Sequence, residues 1–152
     1  RDKISLDIGS VRLTERHVRS DPPTSGELER VREDVRRALA TVPFQPAGHV
    51  VGVAGTVTTI AAFAKNIVPY DGALVHGAEL SAAEVARAGI DLGKLTLEER
   101  TRIAAIDPKR ADVIVAGTLL VDELLRFCSA ASMTVSDRGV RWGLVVRALA
   151  SA

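Results

Sequence analysis

The sequence predicts an α/β fold, with helices flanking a sheet, on three observations. An apolar run at Val50–Ala54 passes through glycines into an uncharged helical segment, which is typical of a buried strand, a tight turn and a helix. Strand, turn and helix follow one another again at Met133–Val135, Ser136–Gly139 and Val140–Leu149. Between these two units, apolar residues recur at helical spacing. Short strands that alternate with helices indicate an α/β domain.

Composition is that of one globular domain, which we expect to span residues 1–152. Hydrophobic residues make up 47% of the 152 residues and charged residues 26%, so the chain is long and apolar enough to bury a core. Lys and Arg number 20 against 19 Asp and Glu, and aromatic residues are 3%. This balance favours neither nucleic acid nor an anionic membrane as a partner.

The single cysteine, Cys128, excludes a disulfide framework and a cysteine-based zinc site. No apolar run reaches the roughly 20 residues of a membrane helix, and the first residues lack the apolar core of a signal peptide. We therefore expect a soluble protein of the reducing cytoplasm.

In the first third of the chain, alternating apolar residues predict a strand over Ile4–Leu13, with a bulge at Gly9. A capping box, Thr24–Glu27, predicts the start of a helix with a solvated charged face. Pro43 and Pro46 are expected to end it. Its apolar stripe consists of Leu28, Val31, Val35, Ala38, Leu39 and Val42.

In the later part, capping boxes predict helices over Ser81–Leu92 and Thr96–Ala105. Asp107 and Pro108 are expected to open a long helix to Phe127, apolar on more than one side and therefore the buried spine of this half. His76 has no second ligand nearby and is predicted to be packed or hydrogen-bonded rather than metal-bound. The core-facing residues of the last helix are predicted to be Leu144, Val145, Ala148 and Leu149.

The turn Gly52–Thr56 is the strongest candidate for a binding site. Glycines let a backbone approach an anion closely, and the first amides of a helix lie at the positive end of its dipole. The alternative is a packed turn without a ligand. Arg138, in the second turn, would meet the same anion if the two strands are parallel neighbours. Its alternative role is a salt bridge or a cap.

Five blocks together resemble one known family, that of the exopolyphosphatases and guanosine pentaphosphate phosphohydrolases. They occur in the family's order and cover essentially the whole chain: SLDIGSVRLTER from Ser5, VVGVAGTVTTIAA from Val50, VHG from Val75, PKRADVIVAG from Pro108 and TVSDRGVRWGL from Thr134. The resemblance implies an actin-like fold of two ribonuclease-H-like domains around a cleft, and for this chain an α/β domain with a mixed sheet flanked by helices. It also implies hydrolysis of polyphosphate or guanosine pentaphosphate with a divalent cation, usually Mg²⁺.

By the same resemblance, this chain supplies one wall of the cleft. The implied substrate contacts are Gly52, Gly55, Thr56 and Thr58, with Arg138 as a weaker contact. The helices from Ser81 to Phe127 would then lie away from the chemistry. One departure is Trp142, where many relatives carry Glu, and we expect a change of packing there.

Several of the family's catalytic motifs do not occur in this sequence. It lacks the phosphate loop, the catalytic glutamate of the first domain and the Asp-Gly-Gly-Gly-Ser strand that opens the second. We therefore interpret the chain as the second domain, truncated at its N-terminal strands, with no catalytic residue or metal ligand of its own and with Mg²⁺ held mainly by the missing domain. Two alternatives stay open: a binding or dimerisation module that uses an exposed sheet edge, and half of a kinase of the same superfamily.

Overall fold

The computed structural model describes residues 3–44 and 49–150, which form helices around a small sheet. The helices are α1 (Ser10–His17), α2 (Ser25–Leu39), α3 (Gly55–Ala64), α4 (Gly72–Val75), α5 (Ala82–Gly93), α6 (Leu97–Thr101), α7 (Ile114–Phe127) and α8 (Val140–Ala150). The strands are β1 (Val51–Val53), β2 (Glu79–Ser81) and β3 (Ser132–Ser136), and a single 3₁₀ turn covers Pro108–Arg110.

The three strands form a mixed sheet with β3 in the centre, in the order β1-β3-β2. β1 pairs with β3 in parallel, with Val51 opposite Thr134, whereas β2 pairs antiparallel, with Leu80 opposite Met133. The predicted mixed sheet flanked by helices is therefore confirmed. Because β1 and β3 are parallel neighbours, the turns that follow them lie at the same edge of the sheet.

Three helices begin at the capping boxes that the sequence predicts. The N-cap side chains of Thr24, Ser81 and Thr96 accept from the amide three residues later, and the glutamate there accepts from the N-cap amide in return. The amide of Thr24, with those of Arg19 and Ser20, holds the pKa of Glu27 at about 2. The Lys65 ammonium and the Ser81 amide and hydroxyl hold the pKa of Glu84 at about 2 as well.

Helix α7 lies at the centre of the fold and packs against α1, α2, α3 and α5. Leu119 belongs to a core shared with α1 and α2, and Leu125 to a core shared with α3, α5 and the sheet. The prediction of a buried spine is confirmed. The helix begins at Ile114 rather than Pro108, because Asp107 caps the separate 3₁₀ turn by accepting from the Lys109 amide.

Helix α1 stands where the sequence predicts part of a strand over Ile4–Leu13, and that prediction is wrong. Residues 3–9 form no regular element, and Gly9 is an extended N-cap rather than a bulge. Leu13 is fully buried between α2 and α7. This tertiary contact with distant helices outweighs the local alternation of apolar residues.

The charged face of α2 is not simply solvated. Arg32 donates to Asp122 and Glu123, and Arg36 donates through Nε and a terminal nitrogen to the two oxygens of Glu123. Both carboxylates lie buried on α7. These ion pairs therefore fasten α2 to the spine.

The ends of two predicted helices also differ. Helix α6 ends at Thr101, short of Ala105, and α2 ends at Leu39, before Pro43; Pro46 lies outside the described residues. Leu144, Val145, Ala148 and Leu149 of α8 are exposed rather than facing the core. Within the described ranges, no helix has the length and hydropathy needed to cross a bilayer.

Candidate functional site

A cavity of about 830 Å³ opens at the carboxyl ends of β1 and β3. The first turn of α3 lies on one side of it, residues 104–110 on another, and the turn after β3 on a third. Its lining comprises Ala54, Gly55, Thr58, Thr59, Tyr70, Ala104, Ala105, Ile106, Asp107, Pro108, Arg110, Asp137, Gly139 and Arg141. In open α/β sheets, ligands bind at this edge.

The guanidinium of Arg110 lies directly over Gly55. A Cβ atom at position 55 would stand 2.2 Å from Cζ of Arg110, well inside van der Waals contact. The absence of a side chain at Gly55 therefore allows a cation to rest on the N-terminal turn of α3.

The first turn of α3 has no side-chain cap, unlike α2, α5 and α6. Its N-cap residue, Ala54, has φ of 74°, the left-handed region that disfavours a side chain. Thr58 donates its hydroxyl to the Gly55 carbonyl at 3.3 Å. The leading amides of α3, which a helix cannot satisfy internally, thus remain available at the positive end of the dipole.

Two arginines and two carboxylates set the charge of the cavity. Among the described residues, neither Arg110 nor Arg141 has an ion pair within 4.0 Å. Asp137 accepts from the Tyr70 hydroxyl at 2.6 Å, and Asp107 is engaged as a cap. Partial burial and the neighbouring Asp137 raise the pKa of Tyr70, so its hydroxyl stays protonated and continues to donate. The guanidinium groups are therefore less engaged than the carboxylates.

Of the predicted contacts, the structure brings Gly55 and Thr58 into this cavity and leaves three residues outside. Gly52 is buried against Val57 and Met133, and the Thr56 methyl packs near Gly117. Both line a more apolar cavity of about 510 Å³ beside β1. Their roles in phosphate binding stay predictions.

Arg138 lies at a third cavity, of about 480 Å³, which adjoins the first at Asp137 and Gly139. Its guanidinium stacks over the Trp142 ring with 4.9 Å to the centroid, a cation–π arrangement. His76 lines the same cavity, and its Nδ1 lies 3.4 Å from Ser136 Oγ, in agreement with a hydrogen-bonded histidine.

The sequence alone did not identify the residues that supply most of the charged and hydrogen-bonding groups of the cavity. These are Tyr70, Arg110, Asp137 and Arg141. Residues 104–110 fall within the stretch predicted to lie away from the chemistry, yet they form one wall of the cavity. The sequence feature that could have indicated this wall is the pair of adjacent basic residues, Lys109 and Arg110, directly after Asp107–Pro108.

The described part of the protein has no set of side chains suited to ligate a metal ion. In residues 3–44 and 49–150, no three His, Cys, Asp or Glu side chains converge as a metal site would require. The two cavity carboxylates are already hydrogen-bonded to Tyr70 and to the Lys109 amide. We therefore assign no metal-dependent step to these residues.

Fold and cavity together define a mixed α/β domain with a cationic cavity at the carboxyl ends of two parallel strands. The sequence profile of the Ppx/GppA phosphatase family matches residues 1–152. The chain belongs to the Ppx/GppA phosphatase family, which confirms the resemblance seen in the sequence.

Individual members of the family are similar to this chain in both sequence and structure. Exopolyphosphatase 2 of Mycobacterium tuberculosis is 39% identical over 150 residues, covering 93% of this chain and 47% of the relative. The crystal structure of the Aquifex aeolicus family member superposes with a TM-score of 0.93 at 36% identity, covering 99% of this chain and 49% of that one. An exopolyphosphatase from Cytophaga hutchinsonii gives a TM-score of 0.79 at 26% identity, over 97% of this chain and 49% of that one. The chain thus spans about half the length of each of these three relatives.

Proposed function

We propose that this chain is the substrate-binding wall of a phosphoanhydride hydrolase that releases orthophosphate from inorganic polyphosphate or guanosine pentaphosphate. In this proposal it is the second, ribonuclease-H-like lobe of a two-lobe actin-like phosphatase. Membership of the family and the half-length match to longer relatives support this role. The observation that carries it is the pair of arginines in a cavity at the uncapped N-terminus of α3.

Phosphate groups fit this cavity for electrostatic reasons. Arg110 and Arg141 offer guanidinium donors, which form charge-assisted hydrogen bonds to phosphate oxygens. The leading amides of α3 lie beside Gly55 and add the positive end of the helix dipole. We place one phosphate group beside Gly55, where it can accept from both the guanidinium of Arg110 and these amides, with the next group toward Arg141.

In the proposed reaction, water attacks the terminal phosphorus, the bridging P–O bond breaks and orthophosphate leaves. The donors of this wall hold the chain of phosphates and offset the charge that gathers on its oxygens. In this family a divalent cation, Mg²⁺ by the resemblance, would add to that offset when bound. The carboxylate that orients the attacking water and most of the metal's ligands would come from the other lobe.

Binding and turnover by the purified 152-residue chain test this proposal directly. We expect the chain to bind inorganic tripolyphosphate in calorimetry and to release no orthophosphate from polyphosphate. Arg110→Ala is expected to weaken binding by about tenfold or more, since each hydrogen bond to a charged group contributes roughly 1.5–3 kcal/mol. Arg102→Ala, which breaks an exposed ion pair with Glu98 at the other end of α6, is the matched control. Phosphate release at a rate comparable to a two-lobe enzyme, or unchanged binding by Arg110→Ala, would contradict the proposal.

A second candidate function is a non-catalytic module that binds phosphate or nucleotide and dimerises through the edge of the sheet. In the described residues, β1 pairs on one side only, and Val51 and Val53 are 55% and 44% exposed. Such an edge accepts a further strand. Light scattering after gel filtration separates the two: a dimer that dissociates on Val51→Lys would favour the module, and a strict monomer would count against it.

A further inference from the structure

Arg100, on α6, is buried next to the segment that carries Arg110, which lines the cavity. Its side chain is among the least exposed charged groups of the described residues, and the residue is 4% exposed. Nε donates to the Ala111 carbonyl at 2.9 Å, and a terminal nitrogen donates to the carbonyls of Leu92 and Leu95. A carboxylate oxygen of Asp21 lies 3.7 Å from the other terminal nitrogen.

These partners come from separate parts of the chain. Leu92 and Leu95 belong to the end of α5 and the turn after it, where the last carbonyls form the negative end of a helix dipole. Asp21 lies in the segment between α1 and α2 and also accepts from the Leu97 amide. A buried charge is costly unless it is paired and hydrogen-bonded, and Arg100 meets both conditions.

The contact with Ala111 fixes the residue that directly follows Arg110. The Arg110 amide donates to the Asp107 carbonyl at 2.8 Å, and the Arg110 carbonyl accepts from Val113 at 3.1 Å. The Ala111 side chain is fully buried in the core. The backbone of Arg110 is therefore held by hydrogen bonds on both sides. Arg100 adds a side-chain hydrogen bond to the carbonyl of the next residue, Ala111.

We propose that Arg100 is a positioning residue that holds the Arg110 backbone so that its guanidinium lies over the first turn of α3. The inference rests on the proposed function, in which Arg110 binds phosphate. Arg100 itself does not line the cavity and touches no substrate. Its effect on binding is therefore transmitted through Arg110.

A double-mutant cycle tests the link, with inorganic tripolyphosphate as the probe and calorimetry on the purified chain. Lysine at position 100 keeps the charge but lacks the planar fork that reaches several carbonyls at once. We expect Arg100→Lys to weaken binding about fivefold in the wild-type background. In the Arg110→Ala background we expect the same change to have no further effect. Arg100→Met, which removes the need to bury a charge, serves as a second variant if the lysine variant does not fold.

A matched control separates positioning from general destabilisation. Arg32→Lys disturbs a comparable ion pair with two buried carboxylates, Asp122 and Glu123, and none of the three residues lines the cavity. It is expected to lower the thermal midpoint while leaving tripolyphosphate affinity within twofold of the wild type.

The outcomes are distinct. Wild-type affinity in Arg100→Lys, or in Arg100→Met if that variant replaces it, would overturn the positioning role, and so would an equal loss with and without Arg110. An Arg110→Ala variant that binds as well as the wild type would instead overturn the proposed function.

Discussion

The Cζ atom of Arg110 lies where it would be 2.2 Å from a Cβ atom on Gly55. Two segments more than fifty residues apart thus meet without an intervening side chain. One of them brings a guanidinium, and the other brings the leading amides of a helix. The cationic character of the cavity depends on this contact.

Gly55→Ala is expected to preserve folding and weaken tripolyphosphate binding about tenfold, the loss of one charge-assisted hydrogen bond. The new methyl group meets the end of a flexible side chain, so Arg110 swings away at little cost to stability. Alanine is also favoured over glycine in helices. Calorimetry and thermal unfolding measure the two effects. A large drop in the thermal midpoint, or unchanged affinity, would contradict this account.

Gly52→Ala is expected to destabilise the protein by about 1–3 kcal/mol, the usual cost of overpacking a core. Its Cβ would stand 2.8 Å from Val57 Cγ1 and 3.1 Å from atoms of Met133, all in the core. Denaturant unfolding gives the free energy. Gly26→Ala is the control, because the nearest atom to its Cβ is 3.7 Å away; it is expected to be neutral or to stabilise by up to about 1 kcal/mol. An unchanged free energy of unfolding in Gly52→Ala would contradict this prediction and show that the Val57 side chain moves aside at little cost.

Glu123→Ala is expected to cost roughly 2 kcal/mol of stability, because Arg32 and Arg36 lose their charge-assisted hydrogen bonds to its buried carboxylate. The cost is limited because Arg32 keeps its hydrogen bond to Asp122 and Arg36 keeps its hydrogen bond to Glu29. Urea unfolding measures it, with Glu29→Ala as the control for the exposed pair with Arg36. Equal effects of the two substitutions would show that burial adds nothing to this network.

Acid is expected to destabilise the fold through the capping boxes. Glu27 and Glu84 have a pKa of about 2 in the folded protein against an ordinary value of 4.5. Their stabilisation is complete above pH 4.5 and is lost as the pH falls from there through about 2. Thermal midpoints across this range should fall less steeply in Glu27→Gln than in the wild type. Glu33→Gln, at an exposed position of the same helix, should follow the wild-type curve; identical slopes in all three proteins would refute the assignment.

Local sequence signals predicted most of the helices and two strands, because their causes lie within a few residues. The three capping boxes and the strand, turn and helix at β1 and α3 are of this kind. The parallel pairing of β1 and β3, which the anion-site hypothesis required, is confirmed.

Features that depend on distant contacts were not predictable in this way. The local pattern around Leu13 is that of an alternating strand, and only the contacts with α2 and α7 account for its place in a helix. The ion pair of Arg32 with Asp122 joins two separate helices. Arg110 enters the cavity from a 3₁₀ turn that Asp107 caps, next to the Ala111 carbonyl that accepts from Arg100. No local residue pattern or spacing in the sequence predicts the contact between Arg110 and Gly55.

The central place of β3 also bears on how the chain folds during its synthesis. β1 and β2 hydrogen-bond to β3 and not to each other, and β3 follows both of them in sequence. A ribosome therefore releases two unpaired strands well before their common partner emerges. Until then the helices α2 and α5 can form locally, while the sheet, with its long loop closures, assembles last.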